Sequence, residues 1–142
     1  MDIRALTPTY AVSPQIAPEN FAAIRAAGYL TVIDNRPDGE IAPELHAGAM
    51  RAAAEAAGLV FVANPVVGGA ITDENVTSQA AAITAGPGPI LAYCASGNRS
   101  SVVWALAHAG RMSADELIGI PARFGYNLEW LRPTLEAAAT KG

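Results

Sequence analysis

The stretch "PILAYCASGNRSSVVWALAHAG", residues 89–110, decides the fold. "PILAY", 89–93, is short and apolar, the pattern of a buried strand. "SSVVWALAHAG", 100–110, has helical composition and closes on a glycine that suits a helix end. Between them "CASGNR", 94–99, holds the chain's one cysteine, a glycine and an arginine. Strand, tight loop and helix in that order place several backbone N–H groups at one spot, under the positive end of the helix dipole.

This unit recurs along the chain. "LTVID", 30–34, and "LVFVA", 59–63, are further apolar strands, expected to be buried in a sheet covered on both faces. A short strand is also expected at "YAVSPQ", 10–15. Helices are expected over "PENFAAIRAAG", 18–28, "PELHAGAMRAAAEAAG", 43–58, and "TDENVTSQAAAITAG", 72–86, where Thr72 suits the cap. Ser113 and Glu116 in "SADE" match a capping box for another helix. In the last segment, 125–142, Pro133 marks either a kink or a first helical turn. Apolar strands alternating with helices imply an α/β fold, a small central mostly parallel sheet flanked by helices. The loops beyond the strands' carboxyl ends, "NRPDGE" (35–40), "NPVVGGAI" (64–71) and "CASGNR", then share one edge, where such sheets bind ligands.

Composition narrows the partners. A length of 142 residues fits a single domain over 1–142, large enough to bury a core without disulfides. The net charge is −4 and Lys141 is the only lysine, which argues against nucleic acid and anionic membranes as partners. The N-terminal stretch shows no signal-like apolar core, and no run is long enough for a membrane span. One cysteine makes no internal disulfide, so a reducing, cytoplasmic setting is expected. His46 and His108 lack metal-ligand spacing with each other or with Cys94; no metal and no cofactor are expected.

The cysteine loop carries the chemistry. Gly97 lets the chain curl with positive φ and bring its amides close to a ligand. Arg99 offers a planar fork to two oxyanion oxygens. Ala95, Ser96, Gly97 and Asn98 supply the rest of an anion cradle, which phosphate or sulfate would fill. The same field favours a thiolate at Cys94, the form that acts as a nucleophile. Ser100 stands where it can hydrogen-bond the sulfur. A lone cysteine at a strand end is ordinarily a small buried hydrophobe. The ordered set of strand, cysteine, glycine, arginine, serines and helix favours an anion site instead.

Outside this loop, Arg36 in "NRPDGE" either joins the anion pocket or pairs with Asp38. Asp34, at a strand end, reads as a hydrogen-bonded structural carboxylate, with acid catalysis as the lesser alternative. Trp104 is expected in the core, while Tyr93 is either core or pocket wall.

The loop resembles the signature of cysteine-dependent phosphatases, His-Cys, five residues, then Arg-Ser/Thr. Here four residues separate Cys94 from Arg99, and Tyr93 stands in the histidine position. A six-residue loop is also the length of the persulfide cradle of rhodanese-type sulfurtransferases. A fuller resemblance runs through "VSPQIAPENFAAIRAAGYLTVIDNRPDGE", "GLVFVANPVVGGAIT", "GPILAYCASGNRSS" and "GYNLEWLRP". These are similar to a bacterial phosphatase-like family of unknown function, also found fused to beta-lactamase-like hydrolases. The resemblance implies the dual-specificity-phosphatase fold and a small anionic or phosphorylated substrate. It also implies an aspartic acid ahead of the cysteine strand, yet "NPVVGGAI" has no carboxylate. Three functions follow from these residues: a cysteine-dependent phosphomonoester hydrolase, a sulfurtransferase carrying a persulfide on Cys94, or a non-catalytic anion- or partner-binding module.

Overall fold

The computed structural model describes residues 1–141, the last of them by its backbone only. Five strands form one sheet: β1 (Arg4–Thr7), β2 (Tyr10–Ser13), β3 (Thr31–Asp34), β4 (Val60–Ala63) and β5 (Ile90–Tyr93), in the order β1-β2-β5-β3-β4. β2, β3 and β4 run parallel with β5, and β1 pairs antiparallel with β2. β5 therefore lies in the middle, with Ile33 opposite Ala92 and Asp34 opposite Tyr93 on one flank. On the other flank Val12 faces Ala92 and Ser13 faces Tyr93.

Side chains alternate across the sheet, and each face fills a separate core. Ile33, Ile90 and Ala92 join Val102, Trp104, Leu117 and Leu135. These come from α4 (Asn98–Ala107), α5 (Ala114–Ala122) and α6 (Arg132–Lys141), beside α3 (Asp73–Ala85). On the opposite face Val32, Leu91 and Tyr93 join Phe21, Ile24, Met50 and Ala54. Those residues lie on α1 (Phe21–Ala26) and α2 (Ala47–Ala56). Trp104 is buried, as its place behind the loop implies.

The expected helices form with shifted ends. Residues 18–20 and 43–45 are 3-10 turns leading into the helices rather than α-helix. Pro133 falls in the first turn of α6, where its missing N–H costs nothing. Ser113 caps α5 by accepting from the Glu116 amide at 3.1 Å. Two expectations need correction. β1 was not foreseen. β4 is an edge strand, with Val60 exposed, so it is not covered on both faces.

Candidate active site

β5 delivers Cys94 to the carboxyl edge of the sheet, and α4 begins four residues later at Asn98. Asn98 and Arg99 are thus the first helical residues rather than loop. Gly97 caps the helix with φ 94°, a conformation costly for any residue with a Cβ. Cys94 is fully buried, and the Gly97 N–H donates to its sulfur at 3.1 Å. Ala95 and Ser96 are exposed at the rim, while Asn98 and Arg99 are half-buried. The Ser96 Oγ accepts from the Asn98 N–H at 3.2 Å, and the Ser101 hydroxyl donates to the Gly97 carbonyl at 2.8 Å. All the cradle residues expected from the sequence therefore sit in one turn.

Arg99 spans this turn and the two neighbouring loops. Its Nη1 donates to Glu40 Oε2 and to the Val66 carbonyl, and its Nη2 to Glu40 Oε1, each at 2.8 Å. Three of its five N–H groups are occupied. The Nε–H and one Nη2–H have no hydrogen-bond partner among the described residues. The Glu40 carboxylate holds Arg99 above its ordinary range, and Arg99 in turn holds Glu40 below the usual carboxylate range.

Arg36 reaches the same edge. Its Nη1 donates to Gln15 Oε1 at 3.3 Å, its Nη2 to the Glu40 carbonyl at 3.2 Å, and its Nε lies 3.5 Å from Glu40 Oε1. The pairing with Asp38 offered by the sequence is not made. Asp38 Oδ1 accepts from the Ala47 N–H at 2.8 Å at the start of α2, a better use of a carboxylate there. Asp34 Oδ1 accepts from the Arg36 N–H at 2.8 Å, and burial pushes its carboxyl up to about 6. A cavity of about 380 Å³ opens here, lined by Asp34, Arg36, Pro37, Asp38 and Val67 among others. A larger one, about 640 Å³, lies beside Trp130 and includes no residue of the cysteine loop.

Ser100 is placed differently from expectation. Its buried hydroxyl donates to Asn35 Oδ1 at 2.9 Å, so its single proton is committed away from the sulfur. The reason is a buried amide network beneath the loop. Asn35 Nδ2 donates to the Asn64 carbonyl and to Gln79 Oε1, and Asn64 Nδ2 also donates to Gln79 Oε1, all at 2.9 Å. Gln79 Nε2 donates to the Tyr10 hydroxyl at 3.0 Å, which donates to the Ser100 carbonyl at 3.0 Å. Sequence reasoning missed Gln79, Asn35, Asn64 and Gln15 at this site, Tyr126, whose hydroxyl donates to the Ser96 carbonyl at 2.7 Å, and the pairing of Glu40 to Arg99. One signal was available: Asn35 and Asn64 each follow directly on an apolar strand, at matching positions of β3 and β4. Tyr93 is core, its ring packed with Phe21, Ile24 and Met50, and its hydroxyl has no hydrogen-bond partner among the described residues.

A central parallel strand leading straight into a cysteine, a glycine-capped helix start and a buttressed arginine define a fold of the tyrosine- and dual-specificity-phosphatase type. The chain belongs to the family of phosphatase-like domains of beta-lactamase hydrolase-like proteins, matched over residues 2–111. It is 33% identical over 138 residues to a beta-lactamase hydrolase-like protein of Xylella fastidiosa, covering 93% of this chain and 32% of that protein. A namesake from Agrobacterium fabrum is 30% identical over 122 residues, covering 84% of this chain and 28% of the relative. The chain thus spans about a third of the length of these curated relatives. Among solved structures, a candidate phosphatase from Neisseria meningitidis superposes with TM-score 0.83 at 32% identity, covering 97% of this chain and 99% of the other. The core catalytic domain of a PP-IP phosphatase from S. cerevisiae, in complex with citrate, shares the fold at TM-score 0.69 and 15% identity, covering 94% and 83% of the two chains. Among the described residues no helix is long and apolar enough to cross a membrane.

Proposed function

We propose that this chain is a cysteine-dependent phosphomonoester hydrolase. The observation that carries the reading is a buried sulfur that accepts from a loop amide at the start of a helix whose first turn carries Arg99. In this reading the Cys94 thiolate attacks phosphorus, the S–P bond forms and the ester O–P bond breaks. Arg99 and the amides of Ala95 and Ser96 hold the non-bridging oxygens, whose charge grows in the transition state, while the Gly97 amide stays on the sulfur. Water then attacks phosphorus, the S–P bond breaks, phosphate leaves and the thiolate returns. Arg36 adds positive charge at the rim. Ser100 holds the loop from below through Asn35, and assists the sulfur only after its hydroxyl rotates.

The loop over 64–71 lends Arg99 a carbonyl and no acid. Aryl phosphates, whose oxide leaves without protonation, are therefore the favoured substrates, and alkyl phosphates are poor ones. A cytoplasmic setting, which keeps a lone thiol reduced, suits this chemistry. The test is hydrolysis of an activated aryl phosphate by wild type and Cys94→Ser. Release of phosphate that disappears in Cys94→Ser supports the reading; equal release by both overturns it.

The six-residue span from Cys94 to Arg99 favours one second reading, a persulfide carrier. Thiosulfate would then transfer one sulfur atom to the Cys94 thiolate and leave as sulfite. Cyanide would remove that sulfur as thiocyanate. Cyanide-labile sulfur on Cys94 without phosphate release would put this reading first.

A further inference from the structure

We propose that Tyr126 is a positioning residue that sets the direction of the Ser96–Gly97 peptide and thereby aims its amide at the Cys94 sulfur. The inference rests on the loop's being an anion cradle, and it concerns a residue outside that loop. In a trans peptide the C=O and N–H point in opposite directions. The Ser96 carbonyl accepts from the Tyr126 hydroxyl at 2.7 Å, and the amide of the same peptide donates to Cys94 Sγ at 3.1 Å. Fixing one end of this plane fixes the other.

The plane needs such a restraint. Gly97 explores positive and negative φ with similar ease, so the peptide before it turns at low cost. Tyr126 is itself held firmly. Its ring is buried with Trp104 and Leu128 in one core cluster. Arg4 Nη1 donates to its hydroxyl oxygen at 2.5 Å, and the Arg4 guanidinium is anchored on Asp2. With a cation on its lone pair, the hydroxyl turns its single proton toward Ser96 and donates more strongly. A Cβ on residue 97 would lie 2.2 Å from the Tyr126 oxygen, so the two positions fit each other only with glycine at 97. The brace joins β1 and the turn after α5 to the loop.

The test uses Tyr126→Phe, which keeps the ring and its packing and removes only the hydroxyl. Arg4→Met is a second variant that leaves the tyrosine in place. Hydrogen exchange of the Gly97 amide, followed by NMR, reads the peptide's direction whether or not an anion binds. Calorimetry with inorganic phosphate reads the cradle. Losing one hydrogen bond corresponds to about a fivefold change in an equilibrium constant. Tyr126→Phe is expected to lower Gly97 protection and phosphate affinity by about that factor, and Arg4→Met by less. Unchanged Gly97 protection in both variants overturns the inference, even where phosphate still binds. Failure of wild type to bind phosphate, with Gly97 protection still falling in Tyr126→Phe, removes the anion reading and leaves the peptide's restraint standing.

Discussion

Glu40 grips the outer fork of Arg99 through two bonds of 2.8 Å, although 59 residues separate them in the chain. The carboxylate fixes the plane of the guanidinium and leaves other N–H groups for a ligand. Arg99→Lys cannot share itself this way, because an ammonium has three donors and no fork. Phosphate affinity is expected to fall at least tenfold in Arg99→Lys, measured by calorimetry; an unchanged affinity would remove the arginine from the cradle.

The same pair sets an acid limb for stability. Arg99 depresses Glu40 below its ordinary value of 4.5. A depressed carboxylate contributes stability that is fully present above its unfolded value and is lost as pH falls through the folded one. Glu40→Gln is therefore expected to be less stable than wild type at pH 7, with the gap closing below about pH 4. The gap should be about 1 kcal/mol at most, since the pair is partly open to water. Urea unfolding across this range measures it.

Asp34 behaves in the opposite sense. Burial raises its carboxyl from 3.8 to about 6, so the folded state holds the proton more tightly than the unfolded state. Stability then falls as pH rises from about 4 to about 6, and the ionised form remains a burden above that. Asp34→Asn keeps an oxygen for the Arg36 amide and carries no charge. It is expected to unfold at higher temperature than wild type at pH 7.5, and to lose that advantage near pH 4. A lower melting temperature at pH 7.5 would contradict this.

Gln79 satisfies Asn35, Asn64 and Tyr10 at once. Gln79→Leu leaves these buried groups short of a partner, each at a cost of about 1–3 kcal/mol. The variant is expected to lose about 3 kcal/mol or more in denaturant unfolding, well beyond what an exposed glutamine on α3 would cost. A loss below about 1 kcal/mol would show that the network contributes little.

The strands at 30–34, 59–63 and 89–93 were legible because each is a short apolar run between breakers. β1 was not, since "RALT" places a single side chain, Leu6, in the core. The turn from Cys94 to Arg99 was legible as an ordered set of residue types. Its supports were not, because they depend on tertiary neighbours. Gln79 sits in an alanine-rich helix where a polar residue reads as surface, and only the packing of α3 against the sheet turns it inward. Arg36 had two acids within reach, Asp38 and Glu40, and the demand of α2 for a first-turn acceptor settled the choice. Ser100 looked directed at the sulfur until Asn35, from another strand end, claimed its proton.

The central place of β5 divides the cysteine's surroundings by persistence. β5 is laced to β2 and β3 along its whole length, so exposing the amides of 90–93 means parting two ladders together. β1 has one neighbour, and its register breaks between Ala5 and Thr7. Local opening will begin at such an edge and reach β5 last. Arg4 travels with β1 while the sulfur stays with β5. Transient fraying of β1 therefore slackens the turn around Cys94 without loosening the strand that carries it.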